Sequence, residues 1–162
     1  GMMSESQLVE LPDGSVQVFA RTKAGKIATA HSADGGESFG NGKLVPELPL
    51  TGGAGCQVSA LGYDGLIDGK PAVLISAPAG SPRKNGMIHI GLIAQSGNQE
   101  MPYTFNWNYR FEVTDCKTDF AYSCLTQLPN GEIGILYEQD NTPQTIDTTY
   151  FQSFSMDALM HK

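Results

Sequence analysis

Residues 120–138, FAYSCLTQLPNGEIGILYE, carry the clearest signal of the fold. Residues that favour β-structure alternate with polar ones on both sides of Pro129, Asn130 and Gly131, and an Asn-Gly pair is a strong signal for a tight hairpin turn. The stretch therefore predicts two antiparallel strands. Tyr122 opens the first of them, at a position where a tyrosine is usually a core or interface residue.

The composition of the whole chain favours an all-β fold. The 162 residues include 19 glycines and 9 prolines, 40% are hydrophobic and 17% are charged. This length is sufficient for one domain with a sizeable core. Frequent turn residues and short alternating runs indicate many short strands rather than long helices. We expect one unit over residues 1–162, with Gly1 as a tag remnant outside the fold.

Charge and cysteine content exclude several classes of partner. A net charge of −7 argues against nucleic acid, because binding to phosphates needs a basic surface. Cys56, Cys116 and Cys124 are odd in number and lack the spacing of metal ligands, so we expect small buried hydrophobic residues and no metal site. No cofactor is predicted, and no stretch is long and apolar enough for a membrane segment.

Turn signals divide the chain into three groups of strands. Pro12, Asp13 and Gly14 predict the turn of a first hairpin, and residues 52–55 predict a flexible entry to the second group. The predicted strands are 8–11, 16–21 and 27–31 in the first group; 56–61, 72–77, 87–94 and 104–113 in the second; and 121–128, 132–138 and 150–156 in the third, followed by a short terminal element at 157–160.

Residues 32–39 fit the Asp-box pattern Ser-x-Asp-x-Gly-x-x-(Trp/Phe) at Ser32, Asp34, Gly36 and Phe39. We expect a tight turn between strands in which Asp34 accepts backbone N–H bonds, the glycines take positive φ, and Phe39 anchors the loop in the core. The motif resembles the turns of β-propeller blades, and it indicates a fold rather than an activity.

The context of Tyr122 resembles that of the nucleophilic tyrosine in the exo-sialidase (neuraminidase) family. There the tyrosine lies in a Tyr-Ser-(Cys/Asp)-Leu segment before an Asp-Gly or Asn-Gly turn, which matches the segment from Tyr122 to Leu125 and its turn. The family also has a glutamate in a Glu-Ser-x-x-Val-Glu-Leu-x-Asp-Gly hairpin, which Glu5 matches. Two family arginines, one at the end of that hairpin and one after a Ser-x-Pro segment, match Arg21 and Arg83 in order and spacing.

The resemblance implies a retaining glycosidase that acts on sialylated glycans. Tyr122 would be the nucleophile, Glu5 its base, and Arg21 and Arg83 the groups that hold the substrate carboxylate. A sialoside carries a carboxylate on its anomeric carbon, so a carboxylate nucleophile would meet a repulsion of about 4 kcal/mol at about 4 Å and an effective dielectric near 20. A neutral phenol avoids that repulsion, although with a pKa of about 10 it needs a base beside it.

The same resemblance implies a partial propeller. Sialidase propellers have six blades, so about three four-stranded blades correspond to the C-terminal half of the catalytic domain, and we expect the N-terminal half as a partner. The family's upstream Arg-Ile-Pro segment, and the aspartate that acts as general acid, are not found in these residues. We therefore expect an incomplete active site and little or no activity from this chain alone. Family habit favours a secreted protein or one of the bacterial envelope.

Two alternatives remain open. A trans-sialidase, including one that forms an anhydro sugar, would use the same residues with a different acceptor. A non-catalytic Asp-box propeller would bind carbohydrate or protein without turnover. Arg110, the third arginine, is interpreted as a rim residue beside aromatic side chains and is left out of the site.

Overall fold

The computed structural model describes residues 3–139 and 148–161, which form three antiparallel sheets and one short helix. The first sheet contains, in spatial order, β1 (Ser4–Glu10), β2 (Val16–Arg21), β3 (Lys26–Ser32) and β4 (Lys43–Pro49). The second contains β5 (Ser59–Gly62), β6 (Ala72–Gly80), β7 (Lys84–Gln95) and β8 (Tyr103–Glu112). The third contains β9 (Ala121–Gln127), β10 (Ile133–Gln139) and β11 (Thr148–Phe154), with β10 in the middle.

Every strand predicted from the sequence overlaps a strand of the structure. The all-β fold of three sheets is thus confirmed, and the third sheet has three strands among the described residues. The terminal element is a helix, α1 (Met156–Met160), which starts where Ser155 Oγ accepts a bond from the N–H of Ala158 at 3.1 Å. Leu159 fixes the helix to the sheets because its side chain is fully buried.

The sequence did not predict β4, the outer strand of the first sheet. Pro46 and the charged Lys43 and Glu47 obscure its alternation, yet Val45 and Leu48 point inward and are buried. Proline is tolerated at a sheet edge because no further strand needs its missing N–H there. The first sheet is therefore complete with four strands, in line with the second.

The Asp-box turn forms as predicted around Asp34. Its carboxylate accepts bonds from the N–H and Oγ of Ser38 at 2.9 and 2.5 Å and from Ser32 Oγ at 2.7 Å. Gly35 and Gly36 have φ of 74° and 95°, which a side chain would disfavour. These hydrogen bonds, with that from Ser38 Oγ the strongest, hold the pKa of Asp34 well below its usual range.

Two predictions about buried side chains are wrong. Phe39 does not anchor the Asp-box loop in the core, since 41% of its surface is exposed. Of the cysteines only Cys56 is buried, whereas Cys116 and Cys124 are exposed. Cys124 is exposed because strand alternation directs its side chain away from the sheet interface that its neighbours Ser123 and Leu125 face.

The second sheet lies between the other two, and β6 shows this in its alternation. Val73, Ile75 and Ala77 belong to the cluster shared with the first sheet. Ala72 and Leu74 belong to the cluster shared with the third sheet. Both faces of β6 are thus buried, which explains why the strand is a nearly continuous apolar run.

The first strands of the three sheets are neighbours: β5 contacts both β1 and β9. The beginnings of these strands and the ends of β2 and β6 lie at the same edge, because each pair is antiparallel. We call this the shared edge. The predicted site residues lie in the segments that form it.

We predict that Asp34→Asn destabilises the fold at neutral pH more than in acid. A carboxylate whose pKa is depressed in the folded state contributes stability above its unfolded pKa, and that contribution is lost as the pH falls toward the folded pKa. The unfolding free energies of the wild type and the variant should therefore differ at about pH 7 and converge below about pH 4, measured by urea denaturation. The control is Asp64→Asn, which changes a turn aspartate whose carboxylate has no hydrogen bond among the described residues. The prediction is contradicted if the wild type and Asp34→Asn differ in unfolding free energy by the same amount at about pH 7 and below about pH 4.

Candidate active site

All four predicted site residues lie at the shared edge. Glu5 is the second residue of β1 and Arg21 the last of β2. Arg83 lies in the tight connection between β6 and β7, and Tyr122 is the second residue of β9. The structure thus brings together residues that are more than a hundred positions apart in sequence.

Glu5 and Arg21 form an ion pair in which Nη1 of Arg21 donates to Oε2 of Glu5. A β-bulge between Ser4 and Gln7 makes this possible, since it shifts the register of β1 against β2 where Glu5 lies. The bond to Glu5 raises the pKa of Arg21; burial opposes this effect, and the charge of Glu5 acts in the same direction as the bond. A carboxylate and a guanidinium are therefore fixed beside each other.

Arg83 and Tyr122 form the second pair of the site. Cζ of Arg83 lies 5.1 Å from the centre of the Tyr122 ring, within the range of a cation–π contact. Nη2 of Arg83 also donates to the carbonyl of Gly55 at 3.4 Å. Tyr122 itself is 41% exposed and lies in the lining of a cleft.

Three of the four predicted residues have a strained backbone. The φ angles are 46° at Glu5, 77° at Arg83 and 45° at Tyr122, and the other non-glycine residues with positive φ among the described ones are Asp68 and Asn85. A left-handed backbone is unfavourable for glutamate, arginine and tyrosine, and such conformations cluster at functional sites. The surrounding packing holds these side chains in directions that a regular strand would not give.

A buried pair of serines lies behind Tyr122, and the sequence did not single it out. Ser123 and Ser76 are fully buried and share a hydrogen bond between their hydroxyls. The N–H of Leu125 donates to Ser59 Oγ at 3.0 Å. These bonds join β9 to the second sheet. The alternation of β9 was the available signal, because a residue next to an outward tyrosine must point inward.

Two carboxylates near Tyr122 were also missed. A cleft of about 340 Å³ is lined by Pro82, Arg83, Asp119, Phe120, Ala121, Tyr122 and Glu138. Asp119 is paired with Lys84 at 2.6 Å, whereas Glu138 lies opposite Ala121 in the β-ladder. A larger cleft of about 460 Å³ lies beside the Asp-box turn, but none of the four predicted residues lines it.

Arg110 lies on β8 and is not among the residues that line the cleft of Tyr122. Its side chain is exposed on β8 opposite His89, and both line another cleft of about 430 Å³. Burial, together with the charge of Arg110, lowers the pKa of His89 to about 4. His89 is therefore neutral near pH 7 and separate from the predicted site.

No group of three or more potential metal-binding side chains is found in residues 3–139 and 148–161. Within the same described ranges, no helix has the length and hydropathy needed to cross a membrane.

Stacked antiparallel sheets with adjacent first strands and an Asp-box turn define the chain as a partial β-propeller. No protein-family model matches it. It is 40% identical over 141 residues to the anhydrosialidase of Macrobdella decora, which covers 86% of this chain and 18% of the relative. It is 39% identical over 137 residues to sialidase B of Streptococcus pneumoniae, covering 84% of this chain and 19% of the relative.

A solved structure agrees with these relatives. The intramolecular trans-sialidase of Ruminococcus gnavus matches with a TM-score of 0.89 and 40% identity, over 97% of this chain and 33% of that one. The chain belongs to the sialidase family. It spans about a fifth of the length of the curated relatives it matches.

We predict that the backbone strain at Tyr122 reverses the usual order of stability of alanine and glycine variants. At an ordinary strand position glycine is less stable than alanine by about 0.5–1 kcal/mol. At Tyr122, with φ of 45°, Tyr122→Gly should be more stable than Tyr122→Ala by about 1 kcal/mol. The control is Thr126, an exposed residue of the same strand, where alanine should remain the better substitution. The same order at both positions in chemical denaturation would refute the strain.

Proposed function

We propose that this chain supplies the nucleophile, its base and two carboxylate-binding arginines of an exo-α-sialidase. The observation that carries the proposal is the convergence of the Glu5–Arg21 and Arg83–Tyr122 pairs at one edge, with three of these residues held in strained conformations. The substrate class is sialylated glycans, which agrees with the names of the relatives.

The first chemical step is attack by Tyr122 on the anomeric carbon. A bond forms between Oη of Tyr122 and that carbon, Glu5 takes the phenol proton, and the bond to the leaving sugar oxygen breaks. The leaving oxygen needs a proton from a general acid, which in the family is the upstream aspartate. The product of this step is a covalent tyrosyl–sialic acid intermediate.

The two arginines act on the substrate carboxylate. Planar guanidinium groups can bind a carboxylate with paired N–H bonds, which a lysine cannot reproduce. They hold the anomeric carbon in front of Tyr122. Their positive charge also offsets the negative charge of the substrate carboxylate, which a neutral phenol does not repel. In the second step water attacks the same carbon and gives one proton to the upstream carboxylate that protonated the leaving oxygen, the proton held by Glu5 returns to the phenol oxygen of Tyr122, and sialic acid is released.

A second candidate function is an intramolecular trans-sialidase. The R. gnavus structure and the leech structure, which contains 2,7-anhydro-Neu5Ac, both belong to enzymes with that name. There a hydroxyl of the bound sugar would replace water in the second step, and the released anhydro sugar would be lighter by one water. Mass spectrometry of the product separates the two functions.

The outer faces of the sheet stack support a partner for this chain. In the central sheet, both faces of β6 pack on a neighbouring sheet. The first and third sheets each have one face directed away from the central sheet. Leu8 and Leu44 lie on that face of the first sheet, and Leu136 and Phe151 on that of the third; all four are at least 45% exposed. We propose that the other half of the propeller covers these faces, and that the complete protein acts outside the cell or in the bacterial envelope.

The isolated chain should show little or no turnover of a fluorogenic sialoside, because loss of a general acid alone typically lowers the rate by about 10²–10⁴. Fusion behind the N-terminal propeller half of the R. gnavus relative should restore activity. In that fusion, Tyr122→Phe should lower kcat/KM by at least about a thousandfold.

The matched control is Tyr109→Phe, which removes a hydroxyl bonded to Asp68 outside the cleft and should leave kcat/KM unchanged. Full activity in the Tyr122→Phe fusion would rule out the nucleophile. Binding of sialoside with no turnover in any form would favour the non-catalytic propeller. Turnover by the isolated chain at ordinary enzyme rates would show that its site needs no partner.

A further inference from the structure

Residues 51–55, TGGAG, contact both arginines of the site, although the sequence indicated only a flexible connection there. The carbonyl of Ala54 accepts bonds from Nε and Nη2 of Arg21 at 3.0 and 2.7 Å. The next carbonyl, that of Gly55, accepts the bond from Nη2 of Arg83 at 3.4 Å. Two consecutive peptide groups therefore each hold one guanidinium.

The bonds of Arg21 leave a defined set of donors. A guanidinium has five N–H donors; Ala54 takes one from Nε and one from Nη2, and Glu5 takes one from Nη1. One hydrogen on each of Nη1 and Nη2 remains for a ligand. A carboxylate oxygen can accept a charge-assisted bond from either of these hydrogens.

Arg83 is held at both ends by the same segment. Its backbone N–H donates to Thr51 Oγ1 at 3.1 Å, and its side chain reaches Gly55 while lying over Tyr122. The same N–H also donates to the carbonyl of Gly80 at 3.1 Å, so the almost fully buried Thr51 is one of two groups that support the positive φ of Arg83.

Only glycine fits at position 55. Its φ is 71°, and a Cβ there would lie 2.4 Å from the carbonyl oxygen of Thr22 and 3.4 Å from Cγ and Nε of Arg21. A contact of 2.4 Å with backbone requires the segment to move away from the end of β2. Gly53 has nearly the same φ, 72°, but a Cβ on Gly53 would meet no atom within 4 Å, so this position tolerates a methyl group sterically.

We propose that residues 51–55 are a positioning segment, in which the close approach of Gly55 to Thr22 sets the directions of Arg21 and Arg83 for one carboxylate ligand. The ligand class rests on the proposed function, whereas the positioning of the arginines does not.

The experiment uses the 162-residue chain, whose three arginines give three Nε–Hε signals in a ¹H–¹⁵N spectrum. In the wild type, Arg21 Nε–H should exchange with water more slowly than that of the exposed Arg110. N-acetylneuraminic acid should shift the Arg21 and Arg83 signals and leave Arg110 unchanged. Its methyl ester, which lacks the carboxylate charge, should not produce these shifts.

Gly55→Ala and Gly53→Ala form a matched pair, since both place alanine at the same positive φ in one segment and only the first meets Thr22. Gly55→Ala should abolish the slow exchange of Arg21 and weaken binding of N-acetylneuraminic acid at least about tenfold relative to Gly53→Ala. The proposal is overturned if Gly55→Ala keeps the Arg21 exchange rate and an affinity within about twofold of Gly53→Ala.

A second variant covers the case in which Gly55→Ala does not fold. Thr51→Val keeps the shape of the side chain but removes one of the two acceptors of the Arg83 N–H and leaves the carbonyl of Gly80 as the other. It should change the Arg83 signal and leave that of Arg21 in place; no change at Arg83 would overturn the role of the segment. If the exchange effects occur but N-acetylneuraminic acid shifts no arginine signal in the wild type, the positioning holds and the proposed function fails.

Discussion

Burial of β6 on both faces is the constraint on which the fold depends. The strand supplies Val73 and Ile75 to one interface and Leu74 to the other, and all three side chains are fully buried. Burial of each such side chain contributes roughly 1.5–3 kcal/mol to stability. Because β6 has side chains in both interfaces, this burial stabilises the packing of three sheets rather than two. A stack of this kind has no preference for a particular ligand, and the same layers could support other chemistry.

The stacking determines where a site can form. Since the first strands are neighbours, their beginnings meet at one edge together with the tight β6–β7 connection. Side chains there come from three sheets, so their relative positions are fixed by the buried interfaces and not by one flexible loop. This rigidity explains how positive φ angles at Glu5, Arg83 and Tyr122 are maintained: each costs on the order of 1–3 kcal/mol, which the surrounding packing must offset.

Much of the fold could be predicted because its signals are local. Asn130 and Gly131 mark a hairpin, and Asp34 and Gly36 mark the Asp-box turn, so strand positions follow from a few adjacent residues. The strand β4 could not be predicted, because Pro46 and its charged neighbours are acceptable only at an edge that the sequence does not reveal. The exposure of Phe39 likewise depends on how the loop lies against the sheet, and not on the motif that contains it.

The candidate site could also be predicted only in part. Residue types and their order suggested Glu5, Arg21, Arg83 and Tyr122, and the structure places all four at one edge. The contribution of Gly55 could not be predicted, because a glycine in a Gly-rich stretch ordinarily indicates freedom of the chain. Its requirement comes from a contact with the carbonyl of Thr22, far back in the sequence, which no local pattern records.

The charges around the site are compatible with the anionic ligand that we propose for this acidic chain. The chain has a net charge of −7, yet Asp119 is paired with Lys84 and Glu5 with Arg21, while the guanidinium of Arg83 donates to a carbonyl and lies over a ring. One cation therefore lacks a carboxylate partner at this edge among the described residues. Its attraction for a carboxylate is about 4 kcal/mol at about 4 Å with an effective dielectric near 20, whereas distant acidic groups are screened beyond about 8 Å at physiological ionic strength. For the carboxylate ligand that we propose, the local pairing of charges around Tyr122 therefore matters more than the net charge of the chain.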